Sequence, residues 1–264
     1  MGDRHIHPSA VVEDGAQLGE GVRIGPLCHV GPQVVLGDHV ELKAQCSIQG
    51  RTTLGARTRV FPFAALGGEP QDLKFSGEET TLTLGVDCTV REGVTMNPGT
   101  AGDRGSTDVG DRCTFLANAH VAHDCVVGSG CIFSNNVMLA GHCKVGDNVI
   151  FGGGSAVHQF ARIGRNAFIG GLAGVEGDLI PFGMAIGNRA YLGGLNVIGL
   201  KRAGMDREGI RSLRAAYKRV FDGADTVQEA AEELRAQGAV GAAAELIDFV
   251  LDKGDRPLCT PQSG

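Results

Sequence analysis

The sequence predicts a mainly β protein: a parallel β-helix of hexapeptide repeats with a small C-terminal α-helical region. Three observations carry this. From Val109 to Val175 every sixth residue is apolar: Val109, Phe115, Val121, Val127, Phe133, Leu139, Val145, Phe151, Val157, Ile163, Ile169 and Val175. An earlier block, Ile6, Val12, Leu18, Ile24, Val30, Leu36, Leu42, Ile48, Leu54, Val60 and Leu66, keeps the same spacing. Beyond Leu200 the apolar period becomes helical. A strict period of six is neither the 3.6 of a helix nor the 2 of a simple strand; it marks stacked hexapeptide coils.

Taken in order, the first block often carries glycine directly after the apolar residue, as in Leu18-Gly19, Ile24-Gly25, Val30-Gly31, Leu36-Gly37 and Leu54-Gly55. Three hexads make one coil of about 18 residues, with coils about 4.8 Å apart. One coil cannot bury its own inner face, so the stack is cooperative. The period breaks at Gly67–Glu79 and resumes at Leu84, Val90 and Met96. Because Leu84 lies 18 residues after Leu66, this break reads as replacing sides of one coil without loss of frame. A second break, Gly102–Thr107, shifts the frame by one before Val109. The expected organisation is a β-helix over 1–190, with external loops near 67–80 and 102–108, and a helical domain over 191–264. Loops outside a solenoid are where binding groups commonly sit.

Residues 187–200 are glycine-rich and read as irregular. Next, Ile210, Leu213, Tyr217, Val220 and Phe221 fall on one helical face, and Arg207, Arg211, Arg214 and Lys218 on the other. Thr226-Val227-Gln228-Glu229 is a capping box opening a second helix, and Ala242–Leu251 reads as a third.

Composition fits a thin stacked core. Gly 42 is more than twice the usual share of about 7%, and tryptophan is absent. Of the eight cysteines, Cys28, Cys46, Cys88, Cys113, Cys125, Cys131 and Cys143 occupy the fifth position of a hexad, where Ala, Val, Thr and Ser stand elsewhere. That slot takes a small buried side chain, and cysteine suits it. No C-x-x-C pair points to metal or redox chemistry. The net charge of −6 argues against a nucleic-acid partner. Residues 201–219 nevertheless hold seven basic and two acidic side chains, which suits a specific acidic partner. The amino terminus lacks the apolar core of a signal peptide, and no apolar run is long enough for a bilayer. The expectation is a cytoplasmic protein with no integral membrane segment.

The chemistry concentrates in Asn118-Ala119-His120-Val121-Ala122-His123-Asp124-Cys125, with His142 and His158 further along. His142 lies one coil plus one residue after His123, which brings the two together. A histidine of ordinary basicity can deprotonate a hydroxyl for attack on a carbonyl. Asp124 can hold its tautomer, and Gly141 offers an unhindered backbone N–H to an oxyanion. No serine or cysteine is placed as a covalent nucleophile, so direct transfer is the simpler mechanism. A zinc lyase using histidines between subunits and a purely structural solenoid are the readings from other classes. The first wants a His-x4-His pair, whereas the close pair here is His120-x2-His123.

Asn-Ala-His-Val-Ala-His-Asp-Cys at 118–125, Gln-Asp-Leu-Lys at 71–74, Ala-Val-His-Gln-Phe at 156–160 and Gly-Leu-Lys-Arg at 199–202 together resemble the UDP-N-acetylglucosamine O-acyltransferases, over essentially the whole chain. The resemblance implies a left-handed β-helix and a homotrimer with active sites between neighbouring chains. It implies transfer of an (R)-3-hydroxyacyl group to the sugar 3-hydroxyl of UDP-N-acetylglucosamine, the first step of lipid A synthesis. It implies no bound cofactor or metal, and a donor carried on the phosphopantetheine of acyl carrier protein. His123 becomes the general base and Gly141 the oxyanion donor. Asp72, Lys74, His120, His142, His158, Gln159, Asn196 and Arg202 become substrate contacts, and Gly171 a position along the acyl groove. Lys201, Arg202, Arg207, Arg211, Arg214 and Lys218 become the docking face for the acidic carrier. Two positions depart from the pattern: Asn97 stands where a histidine is common, and Ala203 where a second arginine often follows Arg202. The first keeps open N-acylation of the corresponding 3-amino sugar.

Overall fold

The structure is a computed structural model that describes residues 4–262. Met1, Gly2 and Asp3, read above for targeting signals, lie outside the described residues, as do residues 263–264. The chain winds into a left-handed prism whose sides are three sheets of eleven, nine and eight short strands. Pairing between coils is parallel and, away from the two loops, falls 18 residues apart, as in Ile132 with Ile150 and Phe133 with Phe151, until the last coil, where Phe168 meets Met184. The apolar residue of each hexad points inward and its predecessor outward. Ile24, Val30, Val60, Val90, Val121 and Leu139 are accordingly fully buried. Each such burial contributes about 1.5–3 kcal/mol. Phe115, Phe133 and Phe151 stack along the axis with ring centroids 4.7 and 4.3 Å apart.

Most corners turn through one residue in the left-handed region. Asp124 (φ 58°), His142 (φ 63°) and Phe160 (φ 66°) occupy this place in successive coils of the corner between the second and third sheets. Asp and Asn tolerate that region better than most residues. All eight cysteines are buried free thiols, Cys259 included. Several thiols donate to corner carbonyls of the next coil, among them Cys125 to Ala140 and Cys143 to His158, both at 3.2 Å.

Both loops leave the prism at the same corner. Leu66 belongs to the second sheet and Leu84 to the third. Eighteen residues therefore span a corner that six span elsewhere. The first break is an insertion of twelve residues at one corner, not a replacement of coil sides. Met96 and Val109 bracket the second insertion in the same way. It occupies 97–105, because Ser106–Val109 is already strand.

The expected division at 190/191 falls inside a hairpin. Gly183–Ile186 pairs antiparallel with Tyr191–Leu195, so the stretch read as irregular extends the first sheet. Four helices follow: α1 (Val197–Arg202), α2 (Arg207–Phe221), α3 (Val227–Ala236) and α4 (Gly241–Leu251). The capping box is formed, with Thr226 and Glu229 bonding reciprocally. Leu213, Val220, Ala231, Leu246 and Ile247 are buried among the helices. Helix α4 is tied to the prism by Glu245 with Arg165 at 2.6 Å, and its C-cap Asp252 with Arg162 at 2.9 Å. The chain then returns to the prism, where Leu258 bridges to Asp178.

Candidate active site

The corner between the second and third sheets presents His123, His142 and His158 in three successive coils. His123 Nδ1 lies 2.9 Å from Asp124 Oδ2. An ionised carboxylate only accepts, so the ring donates through Nδ1 and Nε2 carries the free lone pair. The Asp124 side chain is fully buried, whereas 13% of the His123 side chain is exposed. Thr100 supplies the rest of the carboxylate's partners: its N–H lies 3.0 and 3.1 Å from the two oxygens, and its hydroxyl donates to Oδ2 at 2.7 Å. Burial by itself would raise the Asp124 pKa. The Thr100 hydroxyl and N–H, the His123 hydrogen bond and the nearby His142 outweigh it and hold the carboxyl below the usual carboxylate range.

His142 packs edge-on against His123 with centroids 4.8 Å apart, and its other face stacks on Phe160 at 4.3 Å. Its Nδ1 is 2.7 Å from Asp103 Oδ2, which again leaves Nε2 outward. Thr100 and Asp103 both belong to the second inserted loop, so that loop packs against the histidine corner. Gly141 is buried beneath His123. A Cβ placed on it would lie 2.7 Å from His123 Cε1 and 2.8 Å from Nε2. The His123 ring therefore rests on a surface that only glycine offers. The Gly141 N–H has no acceptor among the described residues.

His120 stands on the second sheet, its Nδ1 2.7 Å from Thr95 Oγ1. Burial and the neighbouring His123 hold its pKa below the ordinary 6.5, against a smaller opposing effect of Thr95. Asn97 sits at the same corner as His123, one coil earlier. Its NH2 donates to the carbonyls of Gly68 and Glu69 at 3.2 and 3.0 Å, anchoring the first inserted loop. Asp72 and Lys74 lie on that loop, where Asp72 Oδ1 accepts the Lys74 N–H at 3.0 Å. Burial and the hydrogen-bonded Cys143 thiol push the Cys125 thiol well above its usual range, so it stays protonated and is no covalent nucleophile.

Other expected residues lie elsewhere. Gly171 is on the corner between the first and second sheets, stacked over Gly153. Asn196 caps α1, accepting the Gly199 N–H at 3.0 Å and donating to Asn166 O at 3.0 Å, so its side chain is engaged at both ends. Arg202 is exposed at the end of α1. His158 and Gln159 are exposed and meet Arg256 of the C-terminal segment. Sequence reasoning passed over Thr95, Thr100, Asp103 and Arg256; the one signal for Thr100 and Asp103 was that an insertion precedes the histidine coils.

His123, Asp124 and His142 place three potential metal-ligand atoms within 4.8 Å of one another. The carboxylate oxygens are already directed at Thr100 and His123, however, and both rings point Nε2 away from Asp124. The arrangement suits a base held by a carboxylate better than a metal cradle. A cavity of about 750 Å³ between α4 and the third sheet is lined by Arg162 and Arg165, whose charges are met by Asp178, Asp252 and Glu245.

A family model described as Udp N-acetylglucosamine O-acyltransferase, domain 2, matches residues 178–259. One for the bacterial transferase hexapeptide, six repeats, matches 15–50 and 106–141. The chain is 64% identical over 258 residues to an acyl-[acyl-carrier-protein]–UDP-N-acetylglucosamine O-acyltransferase of Methylobacterium radiotolerans, covering 97% of this chain and 95% of that one. It is 56% identical to the protein of the same name in Rhizobium johnstonii, covering 98% and 96%. The solved LpxA of Acinetobacter baumannii superposes with a TM-score of 0.93 at 37% identity, covering 96% of this chain and 98% of that one.

Two outcomes test the site. Gly141 does not adopt a positive φ, so Gly141→Ala is expected to fold and to displace the His123 ring. We expect kcat to fall by about 10² or more, the scale of one lost oxyanion or base contact, with an unchanged circular dichroism spectrum; an Ala variant of normal kcat contradicts the packing. The second concerns acid stability. The folded pKa values of His120 and Asp124 both lie below their unfolded values. Each contribution is therefore complete above the unfolded pKa and lost as pH falls through the folded one. The His120 contribution begins to fade below about 6.5 and that of Asp124 only in stronger acid. The urea midpoint of the wild type should drop more between pH 7.5 and 5.5 than that of His120→Gln, and equal drops would remove His120 as the cause.

Proposed function

The chain belongs to the UDP-N-acetylglucosamine O-acyltransferase family, and on that premise we propose how its residues carry the reaction. It transfers an acyl group from acyl carrier protein to UDP-N-acetylglucosamine, the first step of lipid A synthesis. In our reading the acyl group is an (R)-3-hydroxyacyl chain and the acceptor is the sugar 3-hydroxyl. His123 Nε2 removes the hydroxyl proton as the oxygen attacks the thioester carbonyl. The Gly141 N–H receives the charge that develops on the carbonyl oxygen. The C–S bond then breaks, and the pantetheine sulfur leaves with the proton held by His123. Asp124 keeps Nε2 basic and steadies the imidazolium. The observation that carries this is the chain of contacts from Thr100 through Asp124 to His123, with His123 seated on Gly141.

Asn97 anchors the first loop through its NH2 and leaves its buried Oδ1 without a partner among the described residues, so it does not itself select an amine over a hydroxyl. The sugar contacts we assign are His120, His142, His158, Gln159, Asp72 and Lys74. The nucleotide and pantetheine end falls to Arg202 at the end of α1, the helix that Asn196 caps. The carrier docks on α1 and α2, where Lys201, Arg202, Arg207, Arg211, Arg214 and Lys218 are exposed. Of these only Arg211 has an acidic neighbour within ion-pair distance among the described residues, Glu208 at 3.7 Å. Among the described residues no helix is long and apolar enough to cross a membrane; we place the reaction in the cytoplasm, with the soluble carrier.

The expected outcome is release of carrier thiol when the protein meets UDP-N-acetylglucosamine and hydroxyacyl carrier protein, and loss of all but about 10⁻² to 10⁻⁴ of that rate in His123→Ala. Arg211→Glu with Arg214→Glu should raise KM for the acyl carrier protein and leave KM for the sugar nucleotide unchanged. A tenfold loss or less in His123→Ala rejects it as the base.

Gly171 and His123 occupy different corners of one prism, so an acyl groove containing both needs a second chain. Leu27, Phe63 and Leu172, on the Gly171 corner, are more than 60% exposed in the single chain, as a self-association surface would be. We assign a homotrimer with its sites between neighbouring chains. Light scattering should return the mass of three chains, and a monomer of full activity would contradict the assignment.

A further inference from the structure

We propose that Arg256, carried to the active-site corner by the C-terminal segment, fixes His158 in the tautomer that donates through Nε2. The inference rests on the reading above in which His158 contacts the substrate.

Arg256 Nη2 lies 2.7 Å from His158 Nδ1, and Arg256 Nε donates to the Gln159 carbonyl at 2.9 Å. A guanidinium only donates and keeps its proton throughout the range in which proteins work. His158 Nδ1 must therefore be the acceptor, which leaves the ring neutral with hydrogen on Nε2. The Gln159 carbonyl also lies 3.3 Å from His158 Nδ1. That longer contact would need hydrogen on Nδ1, pointed at a guanidinium N–H, and the carbonyl already accepts from Arg256 Nε. The shorter, charge-assisted contact decides the tautomer.

The corner thereby carries one residue type in two roles. His123 and His142 face the carboxylates of Asp124 and Asp103 through Nδ1 and offer Nε2 as an acceptor. His158 faces a cation and offers Nε2 as a donor. A donor at this edge suits an oxygen acceptor of the sugar nucleotide.

Arg256 is held from behind, unlike a loose surface arginine. Its neighbour Pro257 accepts the Asp178 N–H at 2.8 Å, Cys259 donates back to the Asp178 carbonyl at 2.8 Å, and Thr260 accepts from Leu192 at 2.9 Å. Cys259 is buried, and its thiol donates to Ala190 O at 3.4 Å. Gly177 makes the docking possible, since a Cβ there would meet Pro257 O at 2.4 Å. The Asp178 side chain is locked by the Arg162 N–H at 2.8 Å and Nε at 2.7 Å.

The test uses the full-length protein with ¹⁵N-labelled histidine. Long-range ¹H–¹⁵N correlation spectra, with His158 assigned by its loss in His158→Gln, should show the Nε2–H tautomer in the wild type. A mixture of tautomers is expected in Arg256→Met. In steady-state assays Arg256→Met should raise KM for UDP-N-acetylglucosamine about tenfold, the scale of one charge-assisted hydrogen bond, with little change in kcat. Arg256→Lys should recover part of it. His158→Ala should raise the same KM, and adding Arg256→Met to it should have no further effect. A wild-type Nδ1–H tautomer overturns the proposal. So does an unchanged KM in Arg256→Met while His158→Ala raises it, an outcome that leaves the substrate role of His158 standing. An unchanged KM in His158→Ala removes that role and the proposal with it.

Discussion

The in-register stacking of 18-residue coils is the constraint on which the remaining structure depends. Pairs such as Met138 with Ala156 and Lys144 with Arg162 are held by parallel backbone bonds, and most corners repeat one turn geometry. A side chain at a given hexad position therefore finds its counterpart directly above it, about 4.8 Å away. This makes the corner of His123 and Gly141 accurate without a large core beneath it. Imidazole and glycine occupy the same hexad position one coil apart, and stacking forces the ring onto the bare Cα. The inner layer of Phe115, Phe133, Phe151 and small cysteines fixes the spacing from inside.

Departures from the repeat are tolerated where they leave stacking intact, and here both insertions leave from one corner. The first carries Asp72 and Lys74. The second carries Thr100 and Asp103, which bond Asp124 and His142. The uniform prism supplies position, while the irregular loops supply the polar partners that fix protonation. Asp124 illustrates the balance: burial opposes its charge, and Thr100 restores it with a hydroxyl and an N–H. The C-terminal segment does the converse at His158, where Arg256 brings a cation in place of a carboxylate. Repeated histidines thus acquire different chemistry from the segment laid against each.

Much was legible from the chain alone. The cysteine assignments held because a six-residue frame identifies every inward slot. The capping box at Thr226 and the amphipathic α2 are local patterns and appear where expected. The hairpin at 183–195 was not legible, since Gly193 and Gly194 carry no alternation and that strand exists only through pairing with the last coil. The first break was misread as replacing coil sides, because sequence distance does not say which sheet Leu84 joins. The assignment of Asn196 rested on resemblance, and the structure gives its side chain a capping bond that the sequence does not advertise.

The coil, its register and the adjacency of His123 to His142 can be read from the residues alone, because they follow from periodicity and a fixed rise. Only the tertiary structure decided what each imidazole faces. The partners lie 24 residues from Asp124, 39 from His142 and 98 from His158, in segments with no period to extrapolate. A tautomer depends on whether the neighbouring atom accepts or donates, and that is settled where separate stretches of chain meet.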